Sequence, residues 1–368
     1  MLTIAEVQAY LETLAPLALA ESWDNVGLLL GDAGRTVERI MTCLTLTPET
    51  VQEAVEEGAD LVVTHHPVLF KAVQKLSSAT ADGRLLLPLL ARGTAVVSHH
   101  TAYDNCVGGI NDQLCAALGL DAIRPLRPKP ANQVKIVVFV PDADLAKVSD
   151  ALFQAGAGVI GAYSQCSYRL LGTGTFLGSA ESNPTIGKRG QREEVQEWRL
   201  EVVCPAELAS EAIRRMVQAH SYEEPAFDVY GLQSSAGRST AGAGRMGSLP
   251  QPRPLREFAQ QVKQSLRSSV VRAIGEPNRE VQKVAVACGA AGEFLKDAAS
   301  AKADVFLTGE MRFHDELAAR AAGLALVLPG HYATERGGME RLAELLAEAF
   351  PQARAWASRH EACPEWPA

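Results

Sequence analysis

LVVTHHPVLF, residues 61–70, poses the question that decides the fold. Leu61-Val62-Val63 is a continuous apolar run, the pattern of a strand covered on both faces. It ends in two adjacent histidines and a proline. In extended chain the two imidazoles would point to opposite faces, so the backbone must turn here to aim both at one target. A buried strand that delivers chemistry at its carboxyl end belongs to an α/β sheet, where ligands bind just outside the strand ends.

Working outward, residues 39–46 and 95–98 read as further strands. Helical patterns over 48–57, 83–92 and 110–118 alternate with them. This alternation predicts a parallel or mixed sheet with helices on its faces. RPLRPKPANQ, residues 124–133, carries three prolines and three basic residues and reads as a linker. Beyond it a strand over 135–140, a helix over 143–154, an alternating strand over 195–203, a helix over 207–219 and a strand over 230–233 suggest a ferredoxin-like α+β module. A Gly-rich polar stretch, 156–190, lies inside this module. SSAGRSTAGAGR, residues 234–245, reads as flexible. The α/β rhythm then returns, with strands over 283–288, 304–308 and 324–328 and a last long helix over 334–350. The expected organisation is one α/β domain, 1–127 and 234–368, interrupted by an inserted domain, 128–233.

Composition narrows the function classes. The chain has 368 residues, 47% of them hydrophobic and 21% charged, which suits a globular protein of more than one domain. Its net charge of -8 argues against a nucleic-acid binder that works through a general basic field. Glu6 and Glu12 interrupt the N-terminal apolar pattern, which reads as an amphipathic helix after Thr3 and not as a signal peptide. No apolar run approaches the ~20 residues of a membrane span. Seven scattered cysteines without a CxxC favour buried thiols in a reducing cytoplasm.

The strand ends carry the chemistry. LVVT precedes His65-His66, and AVVS precedes His99-His100 and Asp104. VFLT precedes Gly309-Glu310, and ALVLP precedes Gly330-His331, with Glu335 four residues on. Five of the eight histidines therefore gather at one expected sheet edge. A lone His-His pair is more often structural, and His331 with Glu335 could be an ordinary helix-surface pair about 6 Å apart. Together, His65, His66, Asp104, His331 and Glu335 form an imidazole and carboxylate set suited to Zn, Fe or Mn and too rich in nitrogen for Mg or Ca. Five such ligands, one able to bridge, would hold two divalent ions that polarise substrate oxygen and acidify bound water. His100 and Glu310 are candidates for moving a proton. Asn25 and His314 are candidates for substrate contact. GAAG, residues 289–292, reads as a tight strand–helix turn in preference to a phosphate loop.

ESWDNVGLLLGD (21–32), LVVTHHPVLF (61–70), HTAYDN (100–105), LTGEMRFHD (307–315) and GHYATE (330–335) together resemble the GTP cyclohydrolase I type 2 homologue family, the NIF-three-like dinuclear-metal proteins. The stretches 156–190 and 220–232 resemble the PII/CutA-like insertion of its longer members. The resemblance implies that His65 and His66 bind one ion each, with Asp104 completing the site of His66, His331 that of His65, and Glu335 bridging. It also implies a toroidal homohexamer. Relatives commonly have an acidic residue where Thr45 stands and a single histidine where His99-His100 are doubled; HSYEEP replaces their HPYEEP. The expected function is a cytoplasmic, metal-dependent hydrolase in which metal-activated hydroxide attacks a nucleotide-like or phosphoester small molecule. The alternative is a non-catalytic metal-storing or metal-sensing hexamer regulated through the insert.

Overall fold

A computed structural model describes residues 1–130, 133–232 and 238–365. Two compact units are present: Met1–Lys129 with Thr240–Ala368, and Pro130–Ser239.

The first unit holds two sheets. In the five-stranded sheet, β1 (Gly27–Leu30), β2 (Arg39–Cys43), β3 (Leu61–Thr64), β4 (Ala95–Ser98) and the C-terminal β15 (Arg354–Ala357) lie in the order β1-β4-β3-β2-β15. All neighbours are parallel except β1 with β4. The six-stranded sheet has the order β11-β14-β13-β12-β10-β5, from β5 (Asp121–Pro130), β10 (Arg238–Pro254), β11 (Arg272–Ile274), β12 (Glu280–Ala287), β13 (Val305–Thr308) and β14 (Ala325–Leu328). Its centre, β12-β13-β14, is parallel. The single sheet edge expected from the sequence is therefore two edges, one on each sheet.

Helices α1 (Ile4–Leu14), α4 (His100–Asn105), α5 (Ile110–Ala117), α8 (Leu255–Ser265) and α11 (His331–Ala349) contribute to one apolar cluster that takes side chains from both sheets. Leu61 and Val63 of β3 join this cluster, whereas Val62 faces the other side, toward α2 (Pro48–Glu56) and α3 (Ala81–Arg92). Capping explains several boundaries. Thr3 and Glu6 form a reciprocal capping box on α1, Pro48 opens α2 behind the Thr47 N-cap, and Gly93 closes α3 in the left-handed region. On the outer face of the six-stranded sheet, α9 (Leu295–Ser300) and α10 (Phe313–Ala321) cover Phe306 and Leu326.

The second unit runs β6 (Gln133–Pro141), α6 (Leu145–Gln154), β7 (Tyr168–Leu177), β8 (Arg192–Pro205), α7 (Ala209–Ala219) and β9 (Phe227–Gly231). Its sheet order, β7-β8-β6-β9, is fully antiparallel, which is the ferredoxin-like βαββαβ arrangement.

Three expectations need correction. The expected linker 124–133 is in its described part mostly strand β5, an edge position where Pro125 and Pro128 cost no ladder bond between central strands. The expected flexible stretch is, from 238 on, the start of the long strand β10. A Cβ on its Gly242 would meet Arg127 O at 2.4 Å, so the glycines there serve close backbone approach and not mobility. The Gly-rich stretch 156–190 contains β7. Residues 131–132 of the expected linker, residue 233 and residues 234–237 lie outside the described residues. Among the described residues no helix is long and apolar enough to cross a membrane.

Candidate metal centre

The carboxyl ends of β3 and β4 meet those of β12, β13 and β14 at one cavity of about 270 Å³. The end of β3 answers the question of the adjacent histidines. The chain bends directly after Thr64, as the pair requires, and His65 is fully buried while His66 stays partly exposed. Their adjacent backbone N–H groups both donate to the end of β2, to Cys43 O at 3.0 Å and Leu44 O at 2.8 Å, which a straight strand cannot do, and Ser98 Oγ donates to His65 O at 2.7 Å. His331 opens α11 directly after Gly330, so Glu335 follows one turn later and its Oε2 lies 3.0 Å from His331 Nε2.

Glu335 Oε2 is the meeting point. His66 Nε2 lies 3.1 Å from it and His65 Nε2 3.8 Å. His66 Nε2 and His331 Nε2 are 3.2 Å apart, and His65 Nε2 is 3.6 Å from Asp104 Oδ1. Two groups, His65-His66-His100 and His66-His331-Glu335, each place their donor atoms within 4.8 Å of one another, so either could hold a metal ion. In this geometry Asp104 Oδ1 stands beside His65 and His331 Nε2 beside His66, whereas the resemblance implied Asp104 with His66 and His331 with His65. The bend after β3 sends His65 inward toward Asp104 of α4 and leaves His66 facing His331 of α11.

Buried atoms in the group lack ordinary partners. Both ring nitrogens of His65 make no hydrogen bond among the described residues, and Glu335 Oε2 meets only imidazole nitrogens, those of His331 and His66 at 3.0 and 3.1 Å. Buried polar atoms are normally satisfied, and an uncompensated one costs about 1–3 kcal/mol. Three imidazole nitrogens converging on one buried carboxylate oxygen fit a divalent cation of the borderline class.

The surrounding bonds leave those lone pairs free. Thr45 Oγ1 sits 2.7 Å from His66 Nδ1, and Glu310 Oε1 2.8 Å from His331 Nδ1. With protons on the Nδ1 atoms, both Nε2 lone pairs face the cavity. Thr45 thus does for His66, as a neutral acceptor, part of what an acidic residue would do. Thr45→Val is expected to lower metal affinity roughly 10-fold or more, read by calorimetric titration, because the ring loses its orienting partner. Unchanged affinity would remove Thr45 from the site.

His100 hydrogen-bonds through Nδ1 to Asp24 Oδ1 at 2.8 Å, and Asp24 Oδ2 also accepts from Thr101 N at 3.1 Å. Burial opposes the charge of Asp24, yet the His100 and Thr101 bonds hold its carboxyl down at about 2. Burial lowers the affinity of His100 for a proton, but the Asp24 bond outweighs it and raises its pKa. Burial drives His65 down to about 3, so it is neutral and available as a ligand. Burial and then the charge of Glu335 push Asp104 up to about 7. Glu335 stays well below the usual carboxylate range: burial opposes this, but His65, His331 and His66 outweigh it. The bond to Glu335 raises His331 to about 9 despite partial burial.

These directions give a proton balance for cation uptake. At pH 7 the metal-free His331 is protonated and Asp104 partly so. Ligation needs neutral imidazole and ionised carboxylate, so binding must release protons. Affinity is expected to rise between pH 7 and 9 and to fall below pH 7. Titration calorimetry in buffers of different ionisation enthalpy should show about one or more protons released at pH 7. Zero release would contradict the assignment of His331.

Not every expected residue reaches the cavity. Asn25 spends its side-chain amide on Leu69 O at 3.1 Å, and it does not line the cavity. His314 is exposed on α10, stacked near Phe313, and also lies away from it. Three further residues are in place: Asp24 and Cys288, not singled out from the sequence, and Gly289, read there only as part of the tight GAAG turn. Asp24 holds His100. Cys288, buried, donates from Sγ to Asp104 Oδ1 at 3.1 Å, and its backbone N–H donates to Asn111 Oδ1 at 2.9 Å. Gly289 lies against Glu335, where a Cβ would come within 2.4 Å of Oε1. WDN and CGA carried the only sequence signal for them.

An α/β unit with a converging histidine and carboxylate group at its strand ends is the class defined by fold and site. The chain matches the Duf34/NIF3 (NGG1p interacting factor 3) family over residues 2–364 and belongs to it. It is 38% identical to the GTP cyclohydrolase 1 type 2 homolog of Mycobacterium bovis, over 94% of this chain and 92% of that one. It is 36% identical to the protein of the same name from Halalkalibacterium halodurans, over 92% and 91%. A crystal structure of a Bacillus cereus protein related to NIF3 superposes with a TM-score of 0.89 at 34% identity, covering 100% of this chain and 99% of that one.

Proposed function

We propose that this protein is a metal-dependent hydrolase with a dinuclear centre, acting on a nucleotide-like or phosphoester small molecule. The observation that carries this reading is the convergence on Glu335 Oε2, with the unpartnered His65 and Asp104 on one side and His66 and His331 on the other. Zn, Fe and Mn all accept these donors. Divalent ions bound there would polarise a substrate oxygen and supply a nucleophile from water near neutral pH. The chain's own residues do the rest. Asp104 and Glu335 supply the negative charge that offsets the cations. Thr45 and Glu310 fix two imidazoles. His100, raised in pKa and tied to Asp24, stands at the cavity wall as the group able to hold and return a proton. Glu310 is bonded to His331, so the structure favours it as an orienting group over the proton carrier expected from sequence. Assembly into a ring of six chains belongs to the same proposal and is tested by the mass in solution.

The test is hydrolysis of GTP, other nucleotides and alkyl phosphodiesters by metal-loaded wild type and by His66→Ala. Turnover that disappears with the metal in the variant supports the hydrolase. Bound ions without turnover on any of these would move the reading to metal storage or sensing.

A further inference from the structure

The cavity of about 270 Å³ is smaller than the ~300–1,000 Å³ that encloses a whole small-molecule ligand. On the proposed reading the ions occupy part of it, so only the reacting end of a substrate fits inside. The remainder must lie outside, along one of two approaches. The approach past His66 and His331 is a second cavity lined by Thr45, Glu49, Tyr332, His360 and Glu365, in which no aromatic pair among the described residues stands open to stack on a planar ring. The other approach is the mouth formed by Trp23.

That mouth is aromatic. Trp23 lines the metal cavity yet is 55% exposed, and Phe70 beside it is 51% exposed. Their ring centroids are 6.1 Å apart at 73°, and Trp23 stands 6.2 Å from the His100 ring at the same angle. Two perpendicular neighbours fix the indole while most of its surface stays open. Core packing does not produce such a pair. The loop that presents Phe70 is held in an uncommon conformation: Leu69 has φ 58°, in the left-handed region, and the Asn25 amide pins its carbonyl.

We infer that Trp23 and Phe70 form a subsite for a planar heteroaromatic ring, the base of a mononucleotide, held outside the metal cavity while the rest of the molecule reaches in. Stacking on aromatic side chains suits any base, since every base offers a π-face. The roles of Asn25 and Leu69 follow: they position the platform without touching substrate. This inference rests on the hydrolase reading for its substrate class but not for its measurement.

The experiment compares binding of GMP with that of ribose 5-phosphate, which keeps the phosphate and lacks the ring. Metal-loaded wild type, Trp23→Ala, Phe70→Ala and Trp23→Phe are used, with metal content and solution mass determined on each. GMP binding is expected to weaken roughly 10-fold or more in Trp23→Ala, with ribose 5-phosphate and metal content unchanged and Trp23→Phe largely restored. Wild type that holds its ions but binds both probes equally overturns the ring subsite and leaves the metal reading standing. Protein without ions that still binds GMP through Trp23 supports the subsite and overturns the metal reading. Altered mass with unaltered GMP affinity in Trp23→Ala identifies the pair as a contact between copies and overturns the inference.

Discussion

Glu335→Ala is expected to abolish tight binding at both ion positions at once, a loss of more than about 100-fold in each affinity. Changes to groups that merely orient a ligand already cost 10–100-fold, and Glu335 Oε2 lies within 3.8 Å of His65, His66 and His331 together. No other carboxylate oxygen of the site faces all three imidazoles. The variant should keep its fold, because the residue contributes a functional group and not apolar volume to α11. Elemental analysis after gel filtration checks the loss, and circular dichroism checks the fold. Retention of one ion at wild-type affinity would show that Glu335 serves one position only.

Gly289→Ala is expected to produce a similar loss by a purely steric route. Gly289 has φ 64°, where an L side chain is disfavoured by about 1 kcal/mol or more. Its Cβ would also lie 2.4 Å from Glu335 Oε1 and 3.3 Å from His331 Nε2. Glu335 cannot retreat, since it is buried in α11 against the site, and Thr334 Oγ1 ties Gly289 N to the same helix at 3.1 Å. The carboxylate must therefore rotate off its neighbours. A drop of at least roughly 10-fold in metal affinity is expected, with a lower melting temperature of the metal-free protein. Wild-type values of both would mean that the β12 turn is looser than its contacts indicate.

The ligand group was legible because each member obeys a local rule. His65 and His66 follow directly on a buried strand and precede a proline, the signature of a chain that bends to aim both rings, and His331 and Glu335 obey the four-residue spacing of a helix. Asp104 lies four residues after His100 on the short helix α4. The strands feeding these residues are continuous apolar runs of four, and such runs read clearly.

What was not legible depends on pairing between distant segments. Nothing local in β13 or β14 says that they belong to a different sheet from β3 and β4. Pro125 and Pro128 signal a linker unless β5 is known to be an edge. Gly242 and Gly244 signal mobility unless the close approach of β10 to Arg127 and Val286 is seen. Which histidine Asp104 and His331 stand beside is hidden for the same reason: it depends on which side of β3 each partner helix packs. Asp24 and Cys288 act through contacts 76 and 184 residues away in sequence, a distance no periodic pattern spans.

The central claim is that the group around Glu335 is a two-cation site. The most direct measurement is the number of divalent ions per chain, by elemental analysis of protein purified without chelator and again after titration with Zn, Fe(II) and Mn. The account predicts about two ions per chain in wild type and fewer in His66→Ala. A chain that carries none and takes up none would contradict it, and would return the paired histidines of residues 65 and 66 to a structural role.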